Sequence, residues 1–305
     1  MLNAQRIENT ASYRQPQSDK YFRILYDNDY FTATDRYYTQ GYVIELVNPV
    51  LKKNPLTHTL LNLKNGTTNY GLSFEHYGFT PTSIRQENIQ EGNRPFSSFL
   101  MFKTFSMAMD TLKKRKLSSA LSLGFIGPIA FGEGMQQTIH RWIGDVQPLG
   151  WQNQIQNDVV VNYEMIHELQ FLDRRGLSLS TLSQLRVGTL NDKAQLGITI
   201  VAGKFNSPFG SIKAGNRNKF QLYFYTQPLV SFVAYDASLQ GGMFNRSSPY
   251  TISNKDINRL TFQENFGGVF SYKKLHLEYF QSFLTKEFRT STFHRWGGVR
   301  IGVSW

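Results

Sequence analysis

The sequence predicts an all-β protein, a twelve-stranded antiparallel β-barrel that spans a membrane and carries a short helix in an external loop. Three observations lead to this prediction. Segments of about ten residues alternate between apolar and polar side chains, with turn-rich pieces between them. The number of segments is even, and most reach the ~9–11 residues that a tilted membrane strand needs. Aromatic side chains collect near the segment ends, as in the girdles of membrane barrels.

The predicted strands follow one another without an internal repeat or a domain linker. They are Tyr21–Phe31, Thr39–Asn48, Thr68–Phe79, Ser97–Asp110, Leu117–Ile126, Val159–Asp173, Leu177–Val187, Ala194–Phe205, Lys219–Tyr235, Arg259–Tyr272, Leu275–Phe288 and His294–Trp305. In the eighth strand, Leu196, Ile198 and Ile200 share one face, while glycine and polar residues take the other. Residues 1–20 are predicted to be a polar amino-terminal lead, and residues 21–305 the barrel.

Alternation indicates that one face of each strand is apolar, but the same pattern occurs when that face meets a protein core. A soluble β-sandwich or a lipocalin-like barrel is therefore the alternative. The polar opposite faces and the aromatic strand ends favour lipid. No run of about 18 apolar residues occurs, so no transmembrane helix is expected.

Composition narrows the class of protein. Aromatic residues make up 14% of the 305 residues and charged residues only 18%, which indicates a folded chain, because disordered segments have few aromatic residues and high charge. Cysteine is absent, which excludes a disulfide scaffold and thiolate metal sites. The net charge of +11 suits anionic partners, whether nucleic acid, acidic lipid or a phosphorylated glycolipid.

Two segments concentrate residues that can do chemistry. A predicted short helix, Glu133 to Ile143, places Gln136 and His140 four positions apart and therefore on one face. A histidine can carry a proton near neutral pH and is the default general base. The second segment, Tyr26 to Gly41, is rich in carboxylates and hydroxyls at a strand end. With the amino end on the periplasmic side, both segments fall on the outer rim of the barrel.

The hairpin after the first strand offers oxygen ligands of the kind that calcium prefers. They are Asp27, Asn28, Asp29 and Asp35. No EF-hand loop is present, so a calcium site would be assembled from separate segments. Consecutive Asn28 and Asp29 should face opposite sides of a regular strand, so both serve one site only if a bulge or the strand end re-aims one of them. The alternative is a strand end with solvated carboxylates.

Short pieces of sequence in and around these two segments match a known family in order and spacing. They are Asn28 and Asp29, then Asp35, Arg36, Tyr38, Thr39 and Gly41, then Phe96 to Leu100, Ile126 to Pro128, His140 to Gly144, Trp151 to Ile155 and Glu287 to Thr290. On these pieces the chain resembles the outer-membrane lipid A 3'-O-deacylases of the LpxR type. The resemblance covers nearly the whole chain, from the first strand to the hairpin of the last.

The resemblance implies an active site outside the lumen, between the barrel wall and a helix from an external loop. It implies that His140 is the base that activates water and that a calcium ion polarises the ester carbonyl. Asn28, Asp29 and Thr39 match positions implicated in metal binding, oxyanion stabilisation or orientation.

One position departs from the family pattern. The family has a glutamate six residues beyond the histidine, where this chain has Val146. The adjacent Asp145 is expected to take its place through a small shift of the loop. The predicted metal ligands are therefore Asp29, Asn28 and Asp145.

The substrate that the resemblance implies is lipid A, a bisphosphorylated glycolipid of lipopolysaccharide. Arginines in the external loops are predicted to bind its phosphates, because a guanidinium matches phosphate geometry, with ordinary solubilising charge as the alternative. These arginines are Arg85, Arg94, Arg36 and Arg141. The basic run Lys113 to Lys116 falls at the opposite, periplasmic end, where it either meets an anionic leaflet or is turn charge.

The chain is thus predicted to be an outer-membrane esterase that removes the 3'-linked acyloxyacyl group of lipid A with a histidine base and calcium. It is expected to act as a monomer in the Gram-negative outer membrane, with its site facing the external leaflet and with no nucleic acid as partner. The alternatives are a passive pore, a degenerate relative that binds lipopolysaccharide, and a phospholipase. The segment Pro49–Thr67 is predicted to be a small helix or an amphipathic plug.

Overall fold

Twelve antiparallel strands form one closed barrel, in which each strand pairs with its neighbours in sequence and the first pairs with the last. The structure, a computed structural model, describes residues 8–32, 36–210 and 219–305. The strands are β1 (Tyr21–Asn28), β2 (Gln40–Val47), β3 (Thr67–Phe79), β4 (Ser97–Asp110), β5 (Arg115–Ile126), β6 (Asp158–Arg174), β7 (Leu177–Gly188), β8 (Asn191–Lys204), β9 (Phe220–Asp236), β10 (Leu260–Tyr272), β11 (Leu275–Leu284) and β12 (His294–Ser304). The predicted fold class is confirmed.

Some strands end earlier than the alternation predicts, because local structure replaces extended chain. β1 ends at Asn28 rather than at Phe31, since Asp29–Thr32 forms a 3-10 helix. β11 ends at Leu284 rather than at Phe288. The shorter β1 matters for function, because it releases the residues that follow from the two-residue alternation of a strand.

Helical segments are few and lie outside the strands. The α-helices are α1 (Gly132–Ile143), between β5 and β6, and α2 (Ala237–Gln240), after β9. The 3-10 helices are Ser12–Arg14, Asp29–Thr32, Pro49–Lys53, Pro55–Thr59, Pro128–Ala130, Trp151–Asn153 and Asn254–Asp256. The predicted loop helix is confirmed as α1. In the described part of the chain, none of the helices is long and apolar enough to cross a membrane.

The outward face of the barrel is apolar. In β1, Phe22 and Ile24 are exposed, whereas Arg23 and Leu25 are buried inside. Exposed apolar side chains continue around the wall at Ile44, Leu72, Phe102, Leu123, Val161, Leu185, Leu196, Phe224, Phe232, Phe262, Tyr279 and Ile301. Such a band suits lipid and would cause association in water. The soluble sandwich and the lipocalin-like barrel are therefore excluded.

The lumen is filled by the amino-terminal lead. Residues 8–15 cross the interior and bond to inward-facing side chains on several strands. Arg14 Nε donates to Glu278 of β11 at 2.8 Å, and Ser12 Oγ donates to Glu168 of β6 at 2.7 Å. Buried charges are stable only when they are paired and hydrogen-bonded. Further ion pairs inside the barrel are Arg23–Glu45, Lys103–Glu75, Arg186–Glu8, Arg186–Glu164 and Arg300–Glu278.

Residues 49–62, which we call the outer belt, lie on the outside of the wall. Two 3-10 helices, Pro49–Lys53 and Pro55–Thr59, each begin at a proline that follows an asparagine cap. The belt bonds to outward-facing wall residues, for example through the Leu61 carbonyl, which accepts from Ser119 Oγ at 2.8 Å. Of the two alternatives for this segment, the structure shows short helices on the outside of the wall and not a plug in the lumen.

Substitution of Arg14 by alanine is expected to destabilise the barrel, because Glu278 then keeps only one of its two cationic partners, Arg300. Loss of one member of a buried ion pair costs about 3–5 kcal/mol. Thermal unfolding in detergent can be monitored by the gel mobility of the folded barrel. The Arg14 variant should have a lower unfolding midpoint than the unchanged protein. Replacement of the exposed Lys20 by alanine is the matched control. Equal midpoints for the two variants would contradict a stabilising role of the lead.

Candidate active site

A cavity of about 690 Å³ lies on the outer face of the barrel, between α1 and the adjacent ends of β1 and β2. Tyr26 and Asn28 line it from β1, whereas Leu25 and Asp27 of the same strand are buried on the lumen side. The wall therefore separates the cavity from the lumen. The other lining residues are Asp29, Tyr30, Phe31, Thr39, Gln40, Gln136, Ile139, His140, Ile143, Gly144 and Asp145. The two segments that the sequence singles out thus meet in one place.

Helix α1 approaches the wall closely because it begins with a glycine. A Cβ on Gly132 would lie 2.4 Å from the Cβ of Ser98, so a larger residue requires a shift of the helix. Gly144 ends the helix in the left-handed conformation with a φ of 72°, and the Asp145 amide donates to the His140 carbonyl at 2.9 Å. This turn brings the following residues back beside the histidine ring.

The ring of His140 is held in one orientation by the main chain. Its Nδ1 lies 2.6 Å from the carbonyl oxygen of Val146. A carbonyl only accepts hydrogen bonds, so Nδ1 carries a proton, and in the neutral ring Nε2 is the nitrogen without one. The ring lines the cavity, and Nε2 is thus the atom able to take a proton from a group bound there.

Position 146, where the family pattern has a glutamate and this chain has valine, contacts His140 through its main chain. The contact therefore does not require a particular side chain at this position. Asp145 lies with its carboxylate 3.9 Å from His140 Nδ1, is half exposed, and accepts from the Val146 amide at 2.7 Å. The carboxylate expected to replace the glutamate therefore lies beside the histidine.

Gln136 joins α1 to the wall. Its Nε2 donates to Thr39 Oγ1 at 3.0 Å, and its Oε1 accepts from Trp151 Nε1 at 2.7 Å. Gln136 and His140 are both buried on the helix face that meets the barrel, as their spacing predicts. Because Thr39 Oγ1 accepts a bond from α1, its own O–H is available to donate into the cavity.

Consecutive residues of a regular strand face opposite sides, but Asn28 and Asp29 are not both in the strand. The strand ends at Asn28 and a 3-10 helix begins at Asp29, so both side chains reach the cavity. Asn28 is held firmly, since its Nδ2 donates to the Thr39 carbonyl and its Oδ1 accepts from the Tyr30 amide. Asp29 is buried, and its Oδ2 accepts from the Arg36 amide at 2.5 Å.

The cavity offers oxygen donors for a hard cation. Asn28, Asp29 and Asp145 line it, and amide and carboxylate oxygens are the ligands that calcium prefers. Asp35, another predicted oxygen ligand, lies outside the described residues. Among the residues that the structure describes, no group of three or more His, Cys, Asp or Glu side chains could hold a metal ion. The donor chemistry fits calcium, provided that water and substrate oxygens complete the shell.

The arginines predicted to bind phosphate fall into two groups. One group is exposed at the cavity end of the barrel and consists of Arg36, Arg85 and Arg141. Arg94 is buried: it pairs with Glu287 at 2.6 Å, donates to Ser238 and lies over the ring of Phe79. The structure therefore contradicts the assignment of Arg94 to a phosphate, since its charge is used to hold the loops together.

Gln40 is a cavity residue that the sequence analysis does not single out. It begins β2 directly after Thr39 and is almost fully buried. Its Nε2 has no hydrogen-bond partner among the residues that the structure describes. A buried donor without a partner is costly, and here it is left for an acceptor on a ligand. The available sequence signal was its place on the outward face of β2, two positions before Tyr42.

The wall behind the cavity is fixed by a contact on its lumen side. Tyr38 donates to Asp27 at 2.6 Å. Burial, together with the neighbouring Asp27 carboxylate, raises the pKa of the Tyr38 phenol well above its ordinary value, so the phenol stays protonated and keeps donating. Gly41 permits this contact, because a Cβ there would lie 2.0 Å from the Tyr38 hydroxyl and from the Asp27 carboxylate.

Comparison with solved structures identifies related folds. LpxR from Salmonella typhimurium is similar, with a TM-score of 0.75 and 21% sequence identity over 93% of this chain and 100% of that chain. The beta domain of the Bordetella autotransporter Brka has a TM-score of 0.51 and 8% identity, over 95% of this chain and 100% of that chain. These likenesses show the fold. No curated protein sequence matches this chain.

Comparison with protein families identifies the family. The family model described as "Outer membrane protein LpxR" matches residues 2–305, which is almost the entire sequence. The match includes both segments that form the cavity. The chain therefore belongs to the LpxR family of outer membrane proteins.

Proposed function

We propose that this protein is a hydrolase that removes the 3'-linked acyloxyacyl group of lipid A in the outer membrane. The observation that carries the proposal is the position of His140, whose ring lines the cavity on the outer side of the barrel wall while its Nδ1 contacts the Val146 carbonyl. Ester hydrolysis by water needs a base and also a donor or a positive charge facing the oxyanion. Membership of the LpxR family supports this choice of substrate.

In the proposed reaction, a water molecule beside His140 Nε2 attacks the carbonyl carbon of the ester. Nε2 takes the proton of the water as the new C–O bond forms. The Val146 carbonyl holds Nδ1–H, so the ring keeps its orientation as it becomes charged. When the tetrahedral intermediate collapses, the proton passes from Nε2 to the departing 3'-oxygen of the sugar, and the fatty acid is released.

Gln40 and Thr39 are the protein donors assigned to the oxyanion. Gln40 Nε2 is a buried donor without a partner among the described residues, and the Thr39 hydroxyl can donate because its oxygen already accepts a bond from α1. Asn28, Asp29 and Asp145 would hold calcium. When bound, the ion supplies positive charge that polarises the ester carbonyl.

Apolar side chains around the cavity suit a lipid substrate. Phe31, Ile139 and Ile143 line it, and Trp142 and Ile143 of α1 are 81% and 67% exposed. Exposed apolar residues on a helix beside a membrane wall favour contact with acyl chains. Acyl chains would thus enter the cavity from the bilayer, and we assign the cavity to the external leaflet because the predicted topology places both of its segments on the outer rim.

The filled lumen argues against a passive pore. Residues 8–15 cross the interior, and ion pairs join them to β7 and β11. A phospholipase and an inactive relative that binds lipopolysaccharide are compatible with the same barrel. Among the described residues, no contact in the cavity favours either of them over the proposed esterase.

Incubation of the purified protein with lipid A and with phospholipid, each with calcium or with a chelator, tests the function. We expect mass spectrometry to find lipid A without its 3'-acyloxyacyl group only when calcium is present, and to find the phospholipid intact. Cleavage of the phospholipid in place of lipid A would identify a phospholipase. If lipid A stays bound to the protein and no product forms, the protein is a lipopolysaccharide-binding relative without activity.

Replacement of His140 by alanine should lower the rate of acyl release by about 10²- to 10⁴-fold, because it removes the general base. The barrel should remain folded, since the helix keeps its contact through Gln136. Released fatty acid is measured by mass spectrometry, and folding by gel mobility. His58→Ala, in the exposed outer belt, is the control and should keep full activity. If the His140 variant is as active as this control, another residue is the base.

Replacement of Gln40 by leucine should lower kcat for lipid A by about 10²- to 10³-fold, as for the loss of one oxyanion donor, with little change in KM. Leucine has a similar volume, so the cavity should keep its shape. Gln137→Leu on α1, which does not line the cavity, is the matched control. A change in KM with unaltered kcat would assign Gln40 to substrate binding instead.

A further inference from the structure

The barrel rim opposite the cavity, which we call the basic rim, carries an excess of positive charge. The antiparallel topology places the turns after β2, β4, β6, β8 and β10 at this rim, with the start of β1 and the end of β12. Its exposed or half-exposed cations in the described chain are Lys20, Lys52, Lys53, Lys64, Lys113, Lys114, Arg115, Arg174, Arg175, Lys204, Lys219, Lys273 and Lys274. The carboxylates described there are Asp19, Asp110 and Asp173.

The cavity end of the barrel, by contrast, carries both positive and negative side chains. Its accessible cations are Arg36, Arg85, Arg141, Arg246, Lys255, Arg259, Lys286, Arg289 and Arg295, and its accessible carboxylates are Glu87, Glu91, Glu133, Asp145, Asp192 and Asp256. Most of the net charge of +11 therefore lies at the basic rim. A field of one sign at one end of a membrane barrel attracts anionic groups at that membrane surface.

The basic run Lys113 to Lys116 divides between the rim and the lumen. Lys113, Lys114 and Arg115 lie at the turn between β4 and β5, and they are at least partly exposed. Lys116 is buried in the lumen, where its Nζ donates to the carbonyl of Thr10 in the lead. The rim charge is therefore held by the first three residues of the run and not by the fourth.

The outer belt adds an apolar component beside the basic rim. Lys52 and Lys53 end its first 3-10 helix and are exposed. Val50, Leu56 and Leu61 of the same segment are also exposed, although they are aliphatic. A segment that presents lysines together with aliphatic side chains suits the boundary between lipid headgroups and acyl chains.

A groove of about 280 Å³ lies between the outer belt and the barrel wall. Leu56 contributes from the belt, and the wall contributes outward-facing apolar residues, namely Ile44, Leu46, Leu72, Phe74, Phe102, Leu121 and Leu123. The groove is on the side of the wall that meets lipid. Its lining therefore suits an acyl chain and does not suit a sugar.

Hydrogen bonds hold the belt in place and so fix one side of the groove. Tyr163 OH on the outer wall donates to the Thr59 carbonyl at 3.0 Å and accepts from the Leu61 amide at 3.1 Å. Ser119 Oγ donates to the Leu61 carbonyl at 2.8 Å. The belt thereby satisfies wall hydroxyls that hydrocarbon would leave unpaired.

We propose that the basic rim and the belt groove bind an anionic glycerophospholipid. Its phosphate lies against Lys52 and Lys53, and one acyl chain lies along the groove past Leu56. The charge of the rim selects an anionic headgroup over a zwitterionic one, and the apolar groove selects an acylated ligand over free phosphate. The site lies at the opposite end of the barrel from the cavity, so this proposal is independent of the proposed hydrolase function.

Native mass spectrometry of the full chain in detergent, with phosphatidylglycerol and phosphatidylcholine of identical acyl chains, tests the proposal. The wild type should retain phosphatidylglycerol preferentially, and inorganic phosphate should not displace it. K52Q/K53Q should weaken retention of phosphatidylglycerol by about fivefold for each lysine and leave phosphatidylcholine unchanged, as expected for ~1 kcal/mol per cation. L56Q should weaken retention of both lipids equally, because it acts on the acyl chain.

The matched control is K255Q/K286Q, which removes two exposed lysines at the cavity end. It should keep the lipid preference of the wild type, and gel mobility should confirm that every variant is folded. Equal retention of the two lipids by the wild type would overturn the proposal. An equal loss of phosphatidylglycerol in K255Q/K286Q and K52Q/K53Q would also overturn it, since the effect would then be one of net charge alone.

Discussion

Closure of the ladder between β1 and β12 is the constraint from which the other features follow. Backbone groups at membrane depth have no water to bond to, so each must pair within the protein. The pairing from Tyr21 with Ser304 to Asn28 with Gly297 leaves no free edge. A closed ladder fixes which residues point inward and which point outward on every strand. Charged groups are thereby collected in the lumen and apolar groups on the wall.

The cavity is found where this constraint ends. Within β1 the side chains alternate, but at Asp29 the chain turns into a 3-10 helix and two adjacent polar residues reach the same space. Helix α1 lies against the same part of the wall because Gly132 allows close approach and Gln136 bonds to Thr39. The rigid wall therefore supplies the frame, and the irregular segments supply the polar groups.

Local patterns in the sequence were sufficient to predict the barrel and one face of α1. The two-residue period identified the strands, and the spacing of Gln136 and His140 predicted that they share a side. The sequence alone does not decide whether the side chains of Asn28 and Asp29 face the same site, because this depends on the residue at which β1 ends. The hydrogen bond from His140 to the Val146 carbonyl could not be predicted either, because every residue type carries a main-chain carbonyl.

Contacts between distant parts of the chain were beyond local reasoning. Arg94 resembles any loop arginine until its pairing with Glu287, 193 positions away, is known. In sequence, the lead resembles a polar tail. In the structure it lies inside the barrel, where Arg14 pairs with Glu278, 264 positions away. Gln40 stands out only after its buried amide is found without a partner among the described residues.

The position of the cavity on the outside of the wall determines how a ligand arrives. A molecule already embedded in the bilayer reaches it sideways, by diffusion in two dimensions, without passing through water or through the barrel axis. The frequency of encounters then depends on the number of such molecules per unit area of membrane, and the concentration in the surrounding solution has no direct influence on it.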